Sequence, residues 1–317
     1  MASSTSNSLT ILDISDPTNP NHVGALVDVT DLVGTTAVKV VGNYVYMVAH
    51  GSNSFVIVDV SNPGSPSKVG SINTSPTGTL YGAENLHVDG NYAYVVAKQD
   101  NSLTIIDISN KASPAQVGYV QDGLKLQTPA AVLVITNFAY VATDTGYFTV
   151  VDCTDKTSPT ISTEVSNINL LNPVAMDMHS GYVWILGSYL KRLLSVSLGG
   201  VPTVAQALTD SAWSEGPYDL VIDYPTAYVA ANGKVAAVDI SDYSSIQPES
   251  GDSHNMSLSK MLSGTSFFSS CLCPSRCNLG WISKRSLSPG PTVLASIANA
   301  QLTDLRGIAA ARSEEGS

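Results

Sequence analysis

Residues 9–15 read LTILDIS, and close variants of this phrase return four more times along the chain. They are FVIVDVS at 55–61, LTIIDIS at 103–109, FTVVDCT at 148–154 and VAAVDIS at 235–241. The aspartates of the phrases stand at positions 13, 59, 107, 152 and 239, so the successive intervals are 46, 48, 45 and 87 residues. A fixed period in the mid-forties is typical of one supersecondary unit repeated along a chain. The spacing therefore predicts a repeat architecture.

The interval of 87 residues contains one weaker copy of the phrase. In this copy, at residues 193–197, Ser197 stands where the other copies have aspartate, which divides the interval into 45 and 42 residues. Because the aspartate recurs once per unit before a turn, we interpret it as a turn residue that accepts hydrogen bonds from backbone N–H groups. Calcium binding is the less favoured alternative, since no D-x-D-x-D loop with a closing glutamate is present.

Each unit is predicted to contain four short strands. Residues 36–71 give TAVKVVG, NYVYMVAH, SFVIVDVSNPGSP and KVGS, which are rich in β-branched and aromatic residues and bounded by turn residues. The first two strands are joined by Gly42-Asn43 and, in later copies, by Gly90-Asn91, Thr136-Asn137 and Ser180-Gly181, pairs that suit a two-residue hairpin. Aromatic pairs such as Tyr44 and Tyr46 share one face of the sheet and fill the space beside the next sheet. These units predict an all-β fold, a β-propeller.

The number of blades depends on residues 246–290, which do not follow the pattern. From the phrase aspartate to the last residue of the next strand the distance is 13 residues in regular copies, such as Asp59 to Ile72, but 58 residues from Asp239 to Ile297. The excess of 45 residues equals one period and predicts seven blades, with residues 246–290 as a degenerate blade. Two interpretations stay open for this segment: a strongly diverged blade, and a blade scrambled by a compensated reading-frame error. Six blades with an irregular insertion is the alternative architecture.

We expect one propeller domain over residues 1–311 and a tail at 312–317. The N-terminal residues supply a third and a fourth strand, whereas LTDLRGIAAA at residues 302–311 is similar to a first strand. Pairing the two ends would cover their exposed edges in one composite blade that lacks its second strand. This pattern is what we expect of a monomeric domain from a longer protein.

Composition excludes several kinds of partner. The formal net charge is −11 and no basic stripe is present, so nucleic acid is not an expected partner. No apolar run of about 18 residues predicts a membrane span. The N-terminus lacks the charged and apolar regions of a signal peptide. Cys271, Cys273 and Cys277 crowd into the unpatterned segment without a second ligand pair, and we predict neither a metal nor another cofactor.

The phrases identify a family resemblance. LTILDISDPTNP at 9–20, FVIVDVSNPGSP at 55–66 and LTIIDISNKASP at 103–114 resemble the LVIVD repeat, and GNYAYVVA at 90–97 is similar to the hairpin that precedes it. The resemblance covers residues 9–245 and 291–311. It implies a β-propeller, commonly in proteins secreted or at the cell surface of bacteria and archaea, and it implies no catalytic motif.

Candidate functional residues are the polar exceptions at positions where the copies differ. Alignment of the first strands places Lys39, His87, Leu133, Asp177 and Val221 at one position, and Ala37, Asn85, Ala131, Ala175 and Asp219 two residues earlier. The predicted binding residues at the channel mouth are Lys39, Glu84, Asn85, His87, Asp177 and Asp219. Trp213 and Tyr218, in the loop SAWSEGPYD at 211–219, form a second candidate set that suits a sugar or a peptide.

The favoured function is a non-enzymatic scaffold whose loop face binds another protein or a surface glycan. The alternative is a hydrolase or lyase that uses His87 and Asp177 as acid–base groups at the channel mouth. A third hypothesis is a purely structural surface-layer module. The scaffold is favoured because the position of His87 and Asp177 is occupied by Leu133 and Val221 in other copies, so reactive side chains are not concentrated there.

Overall fold

The computed structural model describes residues 1–13, 15, 20–73, 79–166, 171–199, 201–209, 217–231 and 234–241, and the short strands at 247–248, 267–268 and 281–282. All regular elements in these ranges are β-strands. They form five antiparallel sheets of four strands, one sheet of three strands and one two-stranded pair. The predicted all-β fold, a β-propeller, is confirmed.

Six sheets follow one another along the described chain as blades 1 to 6. Blade 1 holds β1 (Ala2–Ser3), β2 (Ser8–Asp13) and β3 (Asn21–Val27), and blade 2 holds β4 (Thr35–Val41), β5 (Tyr44–Ala49), β6 (Ser54–Asp59) and β7 (Ser67–Asn73). Blade 3 holds β8 (Ala83–Asp89), β9 (Tyr92–Ala97), β10 (Ser102–Asp107) and β11 (Ala115–Gln121), and blade 4 holds β12 (Pro129–Ile135), β13 (Phe138–Thr143), β14 (Tyr147–Asp152) and β15 (Thr160–Ser166). Blade 5 holds β16 (Pro173–His179), β17 (Tyr182–Gly187), β18 (Arg192–Ser197) and β19 (Thr203–Thr209), and blade 6 holds β20 (Pro217–Asp223), β21 (Thr226–Ala231), β22 (Lys234–Asp239) and β23 (Gln247–Pro248). The remaining pair is β24 (Phe267–Phe268) with β25 (Trp281–Ile282).

Each blade has two distinct edges. In blade 2, Ala49 at the end of β5 pairs with Ser54, and Ser54 pairs with Asn73 at the end of β7. The turn between the second and third strands and the connection to the next blade therefore leave from one edge, which we call the loop edge. The turns between strands one and two and between strands three and four lie at the opposite edge, the turn edge. The first strands of successive blades pack against one another and so surround the propeller axis.

The hydrophobic core lies between blades. Tyr46 and Phe55 of blade 2 stack with ring centroids 6.2 Å apart, and this face packs on Leu86 and Val95 of blade 3. The same contact recurs with Tyr94 between blades 3 and 4 and with further blade pairs. Because these aromatic rings are buried against the next sheet, the predicted role of the aromatic positions is confirmed.

The recurring aspartates cap turns. A side-chain oxygen of Asp59 accepts a hydrogen bond from the N–H of Ser61 at 2.8 Å. The equivalent bonds join Asp13 to Ser15, Asp107 to Ser109, Asp152 to Thr154 and Asp239 to Ser241. These hydrogen bonds favour the carboxylate and hold the pKa of Asp59 below its usual range. The predicted turn role of the phrase aspartate is confirmed.

The fourth strand of one blade is fitted to the turn of the next. A Cβ atom at Gly118 of blade 3 would overlap the carbonyl oxygen of Lys156 in blade 4, and at Gly70 of blade 2 it would overlap that of Lys111 in blade 3. The Lys111 ammonium then lies over the rings of Tyr44 and Tyr46, at 5.8 and 5.9 Å from their centroids. Glycine in the fourth strand thus permits a close backbone approach, and the neighbouring lysine adds a cation–π contact.

Asparagines at the loop edge connect successive blades. Asn53, which has a positive φ of 52°, accepts a hydrogen bond through its Oδ1 atom from the N–H of Gly82 at the start of blade 3. Asn101 makes the equivalent bond with Thr128 of blade 4 at 2.8 Å. Asparagine tolerates this left-handed conformation better than most residues. The turn residue therefore serves both its own hairpin and the next blade.

The structure corrects two sequence predictions about the ends of the repeat. The N-terminal blade contains β1 at the place of a second strand, because Ala2 pairs with Leu9. The prediction that this strand is missing is therefore wrong, although β1 has only two residues. The predicted degenerate segment, residues 246–290, includes residues 247 and 248 of blade 6, since Gln247 pairs with Asp239.

Other predictions about the C-terminal region cannot be compared with the fold. Apart from β23, β24 and β25, residues 246–290 lie outside the described residues, as do the first-strand candidate at 302–311 and the tail at 312–317. The count of seven blades and the 1–311 domain boundary stay predictions. The weaker copy at residues 193–197 does form a regular third strand, β18.

We predict that Gly118→Ala destabilises the protein by about 1–3 kcal/mol, because the added methyl group overpacks the contact with blade 4. Gly123→Ala is the matched control, since a Cβ there meets no heavy atom within 4 Å. Its free energy of unfolding should stay within about 0.5 kcal/mol of the parent. Urea unfolding measures both values, and equal stability of the two variants would contradict the inter-blade contact.

Candidate functional site

The cross-strand register confirms the alignment of the first strands. Lys39, His87, Leu133, Asp177 and Val221 pair with Tyr46, Tyr94, Tyr140, Trp184 and Tyr228, which occupy one aromatic position in blades 2 to 6. Two residues earlier, Asn85 pairs with Val96 and Asp219 with Ala230. Since the first strands surround the axis, these positions form two neighbouring levels along it.

Backbone N–H groups hold the two aspartates. The Oδ1 atom of Asp177 accepts a hydrogen bond from the N–H of Met178, and its Oδ2 atom accepts one from the N–H of Ile222 in blade 6, both at 2.8 Å. The Oδ1 atom of Asp219 accepts from the N–H of Leu220 at 2.9 Å. Asp177 therefore links blades 5 and 6 with both oxygens occupied. Asp219 uses only one oxygen within the described part of the chain.

Lys39 acts electrostatically on residues of three other blades. Burial raises the pKa of Asp219 to about 6, while the charge of Lys39 opposes this shift and the carboxylate of Asp177 adds to it. Burial also raises the pKa of Asp177, against its two backbone hydrogen bonds and Lys39. Burial lowers the pKa of His87 to about 4, and Lys39 acts in the same direction. These residues therefore belong to one electrostatic group.

We name Lys39, Asn85, His87, Asp177 and Asp219 the channel cluster. Lys39 is exposed and the other four are partly buried. Within the described residues, no hydrogen bond or ion pair involves the side chains of Lys39, Asn85 or His87. In particular, no hydrogen bond joins His87 to Asp177, and neither changes the pKa of the other. The acid–base pair of the alternative function is therefore not assembled in this structure.

Glu84 belongs to a different group from the channel cluster. The register of β8 shifts between Ala83 and Asn85, so Glu84 is the bulged residue at the loop edge. Its carboxylate lies 3.1 Å from the ammonium of Lys98 and 3.6 Å from Nδ1 of His50. Lys98 also pairs with Asp144 of blade 4 at 3.1 Å. This ion-pair network crosses blades 2, 3 and 4.

Sequence reasoning missed the partners of Glu84. His50, Lys98 and Asp144 each follow directly after the second strand of their blade, so they occupy one repeat position. That shared position was a usable signal, since its occupants vary in charge from copy to copy. The pKa of Glu84 is held low because the ion pairs with His50 and Lys98 outweigh the effect of burial. Glu84 is thus an ion-paired residue at the loop edge.

One of the two aromatic candidates, Tyr218, lies in a described strand. Trp213 lies outside the described residues, and Tyr218 is the second residue of β20, where the register shifts between Pro217 and Asp219. Their role in ligand binding stays a prediction.

Exposed apolar residues at the loop edge were also missed by sequence reasoning. Val29, Tyr81 and Leu124 lie in the connections that enter blades 2, 3 and 4 and are 73%, 38% and 56% exposed. Tyr189, in the turn between β17 and β18, is 68% exposed. We call these four residues the loop-edge set. Each lies in a segment that differs between copies, and this was the only signal for them in the sequence.

Asp219 should make the stability of the protein pH-dependent. Its pKa is raised from 3.8 to about 6 on folding, so the stabilisation that it contributes is complete below about pH 4 and is lost as the pH rises through 6. Asp219→Asn removes this loss while keeping an oxygen that can accept from Leu220. We predict that the free energy of unfolding of Asp219→Asn, relative to the parent, increases by up to about 3 kcal/mol between pH 4 and pH 7.

Urea unfolding at pH 4, 5, 6 and 7 measures this difference. Lys39→Met should enlarge the pH dependence of the parent, because the lysine charge lowers the pKa of Asp219. If the difference in free energy of unfolding between Asp219→Asn and the parent stays constant across this pH range, Asp219 is not a buried carboxyl with a raised pKa.

Solved structures from other organisms have similar folds. A protein described as functionally unknown from Desulfotomaculum acetoxidans superposes with a TM-score of 0.62 at 8% identity, over 77% of this chain and 76% of that one. A protein from Lactobacillus plantarum superposes with a TM-score of 0.60 at 13% identity, over 78% of this chain and 82% of that one. At these identities the likeness concerns the fold alone. Among curated proteins nothing matches, and no helix in the described residues is long and apolar enough to cross a membrane.

The family comparison agrees with the repeat spacing. The LVIVD repeat matches residues 4–28, 34–74, 82–122, 130–167 and 223–248, which together make up more than half of the chain. The matched segments include the third strands of blades 1, 2, 3, 4 and 6, whereas blade 5, with serine in place of the phrase aspartate, is not matched. The chain belongs to the LVIVD-repeat family.

Proposed function

We propose that this protein is a non-enzymatic scaffold that binds another protein through its loop edge, at or outside the cell surface. The single observation that carries the proposal is the loop-edge set, Val29, Tyr81, Leu124 and Tyr189, which exposes apolar side chains on one edge of successive blades. Exposed apolar and aromatic residues grouped on one side of a protein are typical of a protein-binding surface.

The repeated residues are not available for this role. The phrase aspartates cap turns, the second-strand aromatic rings are buried, and the fourth-strand glycines touch the next blade. A ligand must therefore contact residues that differ between copies. The loop-edge set meets this requirement, because the connecting segments that contain its members differ in sequence from one another.

The acidic net charge of the chain, more than the local surroundings of the loop-edge set, favours a basic partner. The carboxylates beside Val29, those of Asp28 and Asp31, are both paired with the ammonium of Lys68, and Leu124 follows Asp122, whose carboxylate accepts from the N–H of Leu124 at 2.8 Å. The chain as a whole carries a formal net charge of −11. Complementary charge steers association and selects against acidic partners. The expected ligand is thus a protein surface with basic and apolar side chains, and a glycan without positive charge fits less well.

No observation favours the hydrolase or lyase alternative. Both oxygens of Asp177 are occupied by backbone N–H groups, and the pKa of His87, about 4, leaves little basicity beyond what a free carboxylate has. We retain seven blades as the proposed architecture.

The proposal is tested by capture from cell-envelope extract followed by direct binding. Proteins retained by the immobilised full chain are identified and purified, and their affinity is measured by calorimetry against matched variants. Val29→Asp and Tyr189→Ala should weaken binding at least about tenfold, because they remove apolar contacts at the surface. Val201→Asp is the control, since Val201 is 74% exposed, like Val29, but lies at the turn edge.

Three outcomes would contradict the proposal. The first is a purified partner whose affinity is unchanged by Val29→Asp and Tyr189→Ala. The second is an equal loss of affinity with Val201→Asp. The third is binding on a glycan array with no protein ligand recovered, which would assign the loop edge to a glycan.

A further inference from the structure

The channel cluster contains hydrogen-bonding groups that the fold leaves unused. Within the described residues, the ammonium of Lys39, the amide of Asn85 and the imidazole of His87 have no hydrogen-bond partner, and Asp219 has one oxygen without one. Buried or partly buried polar groups are usually paired, so such a group without a partner calls for an explanation. Lys39 is exposed and can bond to water, so this applies to Asn85 and His87 of blade 3 and to Asp219 of blade 6.

These groups converge on one place in the molecule. Asn85 and His87 share one face of β8, since they are two residues apart. Lys39 acts on the charge state of His87, Asp177 and Asp219, which sit on β8, β16 and β20. Leu133 and Val221 stand at the same level as Lys39 and are partly buried, and Leu133 also packs against the core between blades 4 and 5. A ligand near the axis would contact the polar groups.

The chemistry of the cluster selects among ligands. Lys39 is the exposed charged group, whereas the carboxyls of Asp177 and Asp219 are partly buried and Asp177 is fully hydrogen-bonded. The ammonium of Lys39 is therefore the charged group most accessible to a ligand, and it favours a ligand that carries a carboxylate. The neutral imidazole of His87, the amide of Asn85 and the free oxygen of Asp219 can donate to or accept from hydroxyl groups.

We propose that the channel cluster binds a small carboxylate that also carries hydroxyl groups, with Lys39 on the carboxylate and Asn85, His87 and Asp219 on the hydroxyls. This site is separate from the loop edge, so it does not depend on the proposed protein partner. Asp177 is a positioning residue, because the hydrogen bond that it accepts from the N–H of Ile222 fixes β16 against β20.

The charge state of Asp219 gives the site a pH signature. In the described residues, the charged groups that act on Asp219 are Asp177 of β16 and Lys39 of β4. Protonation of Asp219 removes a negative charge beside the ligand and turns its oxygen into a donor. Because the pKa of Asp219 is about 6, its protonated fraction rises about tenfold between pH 7 and pH 5. His87 stays largely neutral over this range.

The experiment compares three sugars that share a ring but differ in charge: glucuronate, glucose and glucosamine. Calorimetry with the full chain at pH 7 and pH 5 should give the highest affinity for glucuronate, with about a tenfold gain at pH 5. Lys39→Met should weaken glucuronate binding at least about tenfold, since Lys39 is the cation among the five residues of the channel cluster. Lys125→Met, which removes a lysine paired with Glu164 away from the cluster, should leave binding unchanged.

Asp219→Asn separates ligand recognition from a structural role. This variant should bind glucuronate with the same affinity at pH 5 and pH 7, while its melting temperature shows that it is folded. Preference for glucosamine, absence of glucuronate binding, or equal affinity of Lys39→Met and the parent would each overturn the proposal. A persistent pH dependence in Asp219→Asn would also overturn the role of Asp219.

Discussion

The close contact between the fourth strand of one blade and the turn of the next is the constraint on which the rest of the structure depends. Gly70 and Gly118 leave no room for a side chain, so the carbonyl groups of Lys111 and Lys156 reach the neighbouring backbone. This approach sets the distance between blades, and the buried aromatic rings fill the space that it defines. In blades 1 to 3 the period of the sequence reflects this repeated contact, because Gly24, Gly70 and Gly118 each face a turn carbonyl of the next blade.

We propose that ligands contact the positions that this packing does not use. At the fifth position of the first strand the cross-strand neighbour is always aromatic, yet the residue itself changes from lysine to histidine, leucine, aspartate and valine. The scaffold accommodates this variation in different ways: Leu133 packs against the core between blades 4 and 5, and Asp177 accepts a hydrogen bond from the backbone of blade 6. A repeat protein can thus place different chemical groups around one channel without altering its core.

The sequence predicted the fold well because its signals are local and repeated. Two-residue turns, aromatic pairs and the phrase aspartates each specify a strand boundary, and blade 5 keeps this geometry even with Ser197 in place of aspartate. The sequence singled out Lys39, His87, Asp177 and Asp219 as candidates because other copies have apolar residues at the same first-strand positions. Glu84 was grouped with them wrongly, since a β-bulge re-aims it toward Lys98. The loop-edge residues had no periodic signal, because their exposure depends on connections that differ in every copy.

The central claim is that repeat residues build the scaffold and that ligands contact only residues that vary between copies. Hydrogen–deuterium exchange of the full chain, with and without its captured partner, tests this claim most directly. The account predicts new protection in the connections at residues 28–34 and 121–128 and in the turn at 188–191, with no change at the phrase turns, residues 61–66 and 109–114. Protection centred on the phrase turns would contradict it.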